Sequence, residues 1–569
     1  MDEFNVENHI NSIISKKPNP LNKNIIIGII ILVIIFGFIF SSNINITGKV
    51  IYNEPILRNN EILPGIDSNY ALLENAKSNT IVDISDGGKY EISADIIKKN
   101  INGKEIIMYG YNGMIPGPAL RVKQGSKINV LFKNNIDMDT TIHWHGLRHD
   151  IKNDGVPGIS QDPISPGESF TYELYFPDDG IYWYHPHVRE DIQQDSGLSG
   201  NMLVTPSNAY NLVNREELLM LDDILLDDNG QIVPFGKDHT NFAVMGRYGN
   251  IMLTNGETKY NLNIDKGEVV RFYITNVANV RPYNFNIKGA KMKLVGGDLG
   301  QFEKEEFIDS IIIAPAMRYI IDVYFEESGI FNLMNTNPKK SYILGSVTVS
   351  KDLVDNSYLE EFNNNLINRE VIEDIAKYEK YFDKPVDYNL DLTVDLGNFM
   401  ESMASLPCHI MGGIVMGDCN DEERAKFEAE SVHEKISIEW EDEMNMKVSG
   451  EDVEWIIKDR NSKEKNMDIN MEANVGDIVK IRLFNDPNSI HPMQHPIHLH
   501  GQRFIVTEID GKLVDNKVWS DTVLVPIGTT IDILIDVTNP GEWMMHCHIA
   551  EHLESGMMTS FNVMKGGTN

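Results

Sequence analysis

Ten of the 16 histidines fall into four short clusters: His143-Trp-His145, His185-Pro-His187, His495-Pro-Ile-His498-Leu-His500 and His546-Cys547-His548, the last running on to His552 and Met557. On a strand, residues i and i+2 share a face, so each His-x-His pair presents two imidazoles side by side. Four such pairs supply eight convergent metal ligands. Cys547, between two of them, must point the other way, toward His495, which stands an odd number of positions before the other histidines of its cluster. Two imidazoles, a thiolate and a weak axial thioether from Met557 describe a blue-copper electron-transfer site. Any one His pair alone would read as an ordinary surface or core pair. Four pairs, with Cys547 centred in one of them, point to metals.

The elements that position these residues are repeated strands. A glycine followed by alternating apolar residues and ending in asparagine occurs at Gly125 to Asn134, Gly267 to Asn276 and Gly476 to Asn485. Downstream of each, a turn opens a second alternating strand, at Pro166-Gly167, Pro315 and Pro526-Ile-Gly528. A third strand then begins at Gly180, Gly329 and Gly541. Three copies of one strand-rich unit predict an all-β chain of three Greek-key sandwiches. The second copy has Asn284-Phe-Asn286 where the first has His143-Trp-His145, and Met334-Asn335 where the third has His546-Cys547. It reads as a spacer without metal, holding the ligand-bearing units together.

The expected organisation is a cytoplasmic lead at 1–24, a transmembrane anchor at 25–42, a polar tether at 43–79, β domains at 80–207 and 208–350, a connector with some helix at 351–430 and a third β domain at 431–569. The anchor follows Lys16, Lys17 and Lys23, so by the positive-inside tendency the β domains lie outside the cytoplasm. No Ala-x-Ala site follows it, which favours an anchor over a cleaved signal peptide. At 569 residues, 42% hydrophobic and 24% charged, the chain can build several cores. Its net charge of -34, from 84 acidic and 50 basic residues, opposes nucleic-acid binding; it would welcome small cations but equally serves to keep an extracellular domain soluble, so it sets no substrate. Three cysteines exclude a disulfide framework.

The motifs His143-Trp-His-Gly146, Tyr184-His-Pro-His187, His495-Pro-Ile-His-Leu-His-Gly501 and the run from His546 to Met557 resemble those of multicopper oxidases of the laccase-like, three-domain bacterial and archaeal type. The resemblance implies cupredoxin domains, four coppers, and transfer of single electrons from a small reducing substrate to dioxygen. Carried over by motif, the type 1 ligands are His495, Cys547, His552 and Met557. Type 2 takes His143 and His498, and the type 3 pair takes His145, His185, His187, His500, His546 and His548. Asp154, in Asn153-Asp-Gly155, resembles the acid that serves the cluster in this family, although an Asp-Gly is also an ordinary turn. Where some relatives carry a further acid after the last type 1 histidine, this chain has Leu553. An axial Met557 implies a low to intermediate potential and an easily oxidised donor.

A copper nitrite reductase and a non-enzymatic copper-binding scaffold are the alternatives; the first lacks eight cluster histidines, and the second would not need to retain them. The donor stays open between metal ions such as Cu(I), Fe(II) or Mn(II) and phenolic or amine compounds. Cys408 and Cys419, with Met400, Met403, Met411 and Met416 nearby, fit either a disulfide or a soft-metal site. His491-Pro492 lacks a partner at the right step and reads as structural or as lining the substrate approach. His149, His239 and His433 carry no evident role.

Overall fold

The structure, a computed structural model, describes residues 57–206, 210–397, 409–411, 414–416, 420, 437–442 and 445–566. Three two-sheet β sandwiches follow one another, as the repeat predicts. Their inner strands alternate as half-buried strands should. Ile128, Val130, Phe132 and Asn134 of Lys127–Asn135 turn inward, and Val479, Ile481, Leu483 and Asn485 do so in Ile478–Asn485.

The asparagine that ends each repeat has a structural task. Asn134 Nδ2 donates to the carbonyls of Met138 and Ile164 at 2.8 and 2.7 Å, Asn276 to Arg281 and Ile313 at 2.8 and 2.8 Å, and Asn485 to Met493 and Val525 at 2.7 and 3.0 Å. All three side chains are buried. Each clamps the loop that leads into the strand at the ligand position, satisfying carbonyls that burial would otherwise leave unpaired.

In the first domain the short strand His143–His145 pairs antiparallel with Gly180–His185, His143 opposite His185. In the third, His495–Leu499 pairs with Gly541–Cys547, putting His498 opposite His546 and Ile497 opposite Cys547. The second domain keeps the pairing, Tyr283–Ile287 against Gly329–Thr336. There the amides serve their own backbone: Asn284 N–H donates to Asn335 Oδ1 at 2.9 Å, and Asn284 Nδ2 donates to the Thr336 carbonyl at 2.8 Å.

Two boundaries differ from expectation. The stretch read as a tether to residue 79 is folded from Leu57: Glu61–Ile62 pairs with Phe235–Gly236, and Leu63 is buried beside Ile97, Ile101 and Ile224. These few apolar residues show no periodicity because they fill a groove between other elements. The third domain also begins early. Tyr388–Asp395, inside the expected connector, pairs in parallel with Ile478–Asn485 and lies within its sheet. The helices Leu359–Asn363 and Arg369–Ala376 supply the expected helix. Cys408 and Cys419 lie outside the described residues, as does the apolar run at 25–42. No helix among the described residues is long and apolar enough to cross a membrane.

Candidate metal centres

Every cluster histidine is buried, and two separate groups form. Cys547 Sγ lies 3.6 Å from His495 Nδ1 and 3.7 Å from His552 Nδ1. Met557 is buried in the same core, its carbonyl accepting from the Cys547 N–H at 3.1 Å. The opposite face of the Gly541–Cys547 strand carries His546, whose neighbours are His500, His498, His187 and His548. The alternation read from the sequence thus places Cys547 and its flanking histidines in different sites.

At the second group the ring nitrogens are held in one sense. The Nδ1 atoms of His143, His185, His498 and His546 donate to the backbone carbonyls of Asp154, Pro186, Asp521 and Cys547 at 2.8, 2.9, 2.9 and 2.9 Å. His500 Nδ1 donates to Asp154 Oδ2 at 2.9 Å, and His187 Nδ1 faces Glu190 Oε1 at 3.2 Å. With Nδ1 carrying the proton, each Nε2 lone pair turns inward. His145 is reversed: its Nε2 bonds Asp521 Oδ1 at 3.0 Å and Thr522 Oγ1 at 3.1 Å, leaving Nδ1 inward.

These inward atoms test whether a metal fits. His143 Nε2, His145 Nδ1, His185 Nε2, His187 Nε2, His498 Nε2 and His548 Nε2 are buried without a hydrogen-bond partner. His500 Nε2 and His546 Nε2 stand 3.0 Å apart, although both rings spend their other nitrogen as a donor. Two lone pairs facing each other in a buried space repel unless a cation lies between or beside them. Sets of three ligand atoms within 4.8 Å of one another include His143, His145 and His185; His143, His498 and His500; His187, His500 and His546; and His495, Cys547 and His552. The donors are imidazole and thiolate, which suit copper.

Burial, reinforced by neighbouring imidazoles, holds the rings of His185, His187, His495, His500, His546 and His552 in the neutral form; it lowers His187 and His495 to about 3. Burial also pushes the Cys547 thiol up, so a thiolate there needs a bound cation.

Asp154 is buried between His500 and the rings of His143 and His149, its Oδ1 3.4 Å from His143 Nδ1 and 3.8 Å from His149 Nε2. Burial raises its carboxyl, but the electrostatic pull of the facing His500 and His143 rings, with hydrogen bonds from His143 and His149, outweighs this and holds it well below the usual range. Gly155 is required beside it, since a Cβ there would collide with the Ile142 carbonyl. The Asp-Gly is therefore both a turn and a ligand support.

Several residues were not legible as functional. Asp521 orients His145 through its side chain and His498 through its carbonyl. The expected spacer domain reaches the site through Arg318, whose guanidinium grips Asp521. Gly146 of the His-Trp-His-Gly motif makes room for this pair: a Cβ would stand 2.5 Å from Asp521 Oδ2 and 3.1 Å from Arg318 Nη2. Glu190 stands three positions after His187, the only local hint of its contact. Trp455 stacks on His552 with ring centroids 3.8 Å apart. His149 and His491, given no site role or only a lining one, are both buried close to the two groups.

The family models described as multicopper oxidase match residues 95–209, 182–347 and 437–567. Multicopper oxidase mco of Staphylococcus aureus is 25% identical over 468 residues, covering 80% of this chain and 84% of that one. The copper resistance protein A homolog of Pseudomonas syringae is 22% identical over 567 residues, covering 84% and 92%. A solved multicopper oxidase from Campylobacter jejuni, described as a metallo-oxidase, superposes with a TM-score of 0.62 at 24% identity over 87% of this chain and 98% of that one. With those models spanning both histidine-bearing domains and the domain between them, the chain belongs to the multicopper oxidases, oxidoreductases that take electrons from a reducing donor and pass them to dioxygen.

Proposed function

We propose that the two groups of ligands are an electron-entry site and a dioxygen-reducing site, holding four coppers between them. His495, Cys547, His552 and Met557 would hold a type 1 copper; His143 and His498 a type 2 copper; and His145, His185, His187, His500, His546 and His548 a type 3 pair. Bound copper would supply reversible one-electron chemistry at each site.

The protein's part is connection and orientation. Cys547 is joined to both groups, since its Sγ faces His495 and His552 while its carbonyl accepts from His546 Nδ1 at 2.9 Å. That double attachment is the observation that carries the reading. Asp154 and Asp521 fix ring orientation from behind, and Asp154, alone among the carboxylates of the described residues, reaches toward three imidazoles. Ionised and hydrogen-bonded to His500, it is the candidate to relay protons near the cluster. The neutral, dry setting of the rings favours metal over protons.

The donor is proposed to be a small reducing metal ion in preference to a phenolic compound. The acidic surface favours cations, and the similar Campylobacter protein is described as a metallo-oxidase. The run at 25–42 is proposed as an uncleaved anchor, with the copper domains outside the cytoplasm; protease protection in sealed vesicles tests that orientation.

Copper content and oxygen consumption by the full-length protein, with Cu(I), Fe(II) and a phenol in turn, test the oxidase reading. About four coppers per chain and oxygen uptake are expected. Copper near one per chain without oxygen uptake would favour a scaffold, and turnover of nitrite alone a nitrite reductase.

A further inference from the structure

One buried imidazole near the cluster holds neither a ligand position nor a place among the groups that orient the ligands. His149 is 2% exposed and stands four residues after His145 and five before Asp154. Its Nδ1 is buried without a hydrogen-bond partner, and its Nε2 faces Asp154 Oδ1 at 3.8 Å. Hydrogen bonds that carry protons are often long in the resting protein and tighten in the working complex. The other oxygen of the same carboxylate, Oδ2, is spent on His500 Nδ1 at 2.9 Å. Asp154 therefore turns one oxygen to a ligand of the cluster and the other to His149.

His149 also lines an open cleft of about 730 Å³ between the first and third domains. The charged groups around that cleft are Lys127, Arg148, Asp150, Glu173 and Lys565. Arg148 is held by Asp178 at 2.6 Å, and the Lys127 ammonium lies over the Tyr175 ring, 5.3 Å from its centroid. Asn153, next to Asp154, lines the same cleft and carries a buried Nδ2 without a partner. The third domain fixes the backbone here, since Asn539 Nδ2 donates to the His149 carbonyl at 2.7 Å. An imidazole accepts a proton on one nitrogen and releases one from the other near neutral pH. Buried between a solvent-open cleft and a carboxylate at the cluster, His149 has the placement that this exchange requires.

We infer that His149 carries protons from this cleft to Asp154, and through it to the dioxygen-reducing site. The inference rests on the oxidase reading above and adds to it the entry point for protons. Converting one dioxygen to two waters consumes four protons with four electrons; the electrons come from the donor and the protons from solvent in the cleft. His149 takes each proton at Nδ1 and releases one from Nε2 to Asp154 Oδ1, and a turn of the ring or exchange with the cleft resets it. His500 stays held by Oδ2 throughout, so the carboxylate receives protons without giving up the ring it orients. His149 acts through Asp154 and touches no reacting atom.

The test compares the copper-loaded full-length enzyme with His149→Gln, whose amide holds hydrogen bonds but carries no proton near neutral pH. Each is fully reduced without oxygen and then mixed with dioxygen in weakly buffered solution containing a pH-indicator dye. In the variant, proton uptake read by the dye and oxidation of the enzyme are expected to slow together by about 10²-fold, while copper content and anaerobic reduction by the donor match wild type. His149→Ala opens a space for added imidazole, which should restore the rate, a rescue that a merely structural role would not give. In the fully reduced enzyme, whose cuprous ions are diamagnetic, the nitrogen-15 resonance of His149 Nε2 should move in Asp154→Asn. Proton uptake by His149→Gln at the wild-type rate overturns the inference, and so does a slowing accompanied by copper loss that imidazole does not reverse. Oxygen uptake separates the two readings: none by the wild type with any donor defeats the oxidase reading, whereas undiminished uptake by His149→Gln defeats the relay alone.

Discussion

Arg318, from the domain without ligand histidines, binds both carboxylate oxygens of Asp521 in the third domain, Nη1 to Oδ1 at 2.6 Å and Nη2 to Oδ2 at 2.5 Å. The same guanidinium donates from Nε to the Ile181 carbonyl of the first domain at 2.9 Å, and its backbone N–H donates to Asp298 at 2.9 Å. One side chain thus ties three domains together behind His145. Burial raises the Asp521 carboxyl, and Arg318 more than offsets this, keeping it ionised as a partner for the ring.

Arg318→Met removes the charge and leaves the Asp521 carboxylate buried without its cationic partner. A loss of about 3–5 kcal/mol is expected, with fewer coppers retained per chain. Denaturant titration and metal analysis check it; a loss below about 1 kcal/mol with full copper content would show that Arg318 does not hold Asp521 in place.

Cys547→Ser removes the thiol sulfur that lies 3.6 and 3.7 Å from His495 and His552. The strong visible absorption of a copper–thiolate site should vanish and oxygen uptake should stop. The other coppers should remain, because His546 and His548 are unchanged. Visible absorption and spin resonance spectra on one sample make the comparison, and an undiminished blue band would place the site elsewhere.

Asp154→Ala leaves His500 Nδ1 without its acceptor and frees the ring to turn. Loss of a residue that orients a metal ligand reduces metal affinity or activity by about 10–100-fold. Oxygen consumption should fall by that much, while anaerobic bleaching of the blue band by the donor stays fast. Equal slowing of both steps would argue for a general folding defect.

Asp179 accepts from the Tyr210 hydroxyl at 3.1 Å, and burial pushes its carboxyl up to about 6. A raised folded-state value means that the folded chain binds more protons than the unfolded chain between roughly pH 4 and 6. Its contribution to stability is therefore full below that window and declines as pH rises through it. Asp179→Asn should be more stable than wild type at about pH 8, with the difference vanishing near pH 4. Thermal melts at both values test the sign, and a variant less stable at the higher pH would reverse it.

Much of the site was legible because strand periodicity is local. The alternation in His546-Cys547-His548 was enough to put the sulfur on one face and the imidazoles on the other, and the structure keeps that division. The three glycine-to-asparagine repeats marked three sandwiches for the same reason, since each asparagine clamps a loop only a few residues away.

What stayed hidden is long-range. Arg318 and Asp521 lie 203 positions apart, and neither has a neighbour in sequence that marks it. His149 and Asn539, which meet beside the cleft, are 390 positions apart, and Trp455 reads in the sequence as one more core residue. The start of the third domain at Tyr388–Asp395 was hidden too, because a parallel strand pair needs a distant partner before it can be seen.

The sequence by itself determined the ligand types, their spacing, the three-fold repeat and the face each ligand takes, because covalent geometry and the two-residue strand period settle these within a few positions. The tertiary structure alone decided which nitrogen of each ring turns inward, which carboxylate holds it and how the middle domain reaches the site. Those depend on hydrogen-bond partners that arrive from other domains, and burial makes each such partner obligatory.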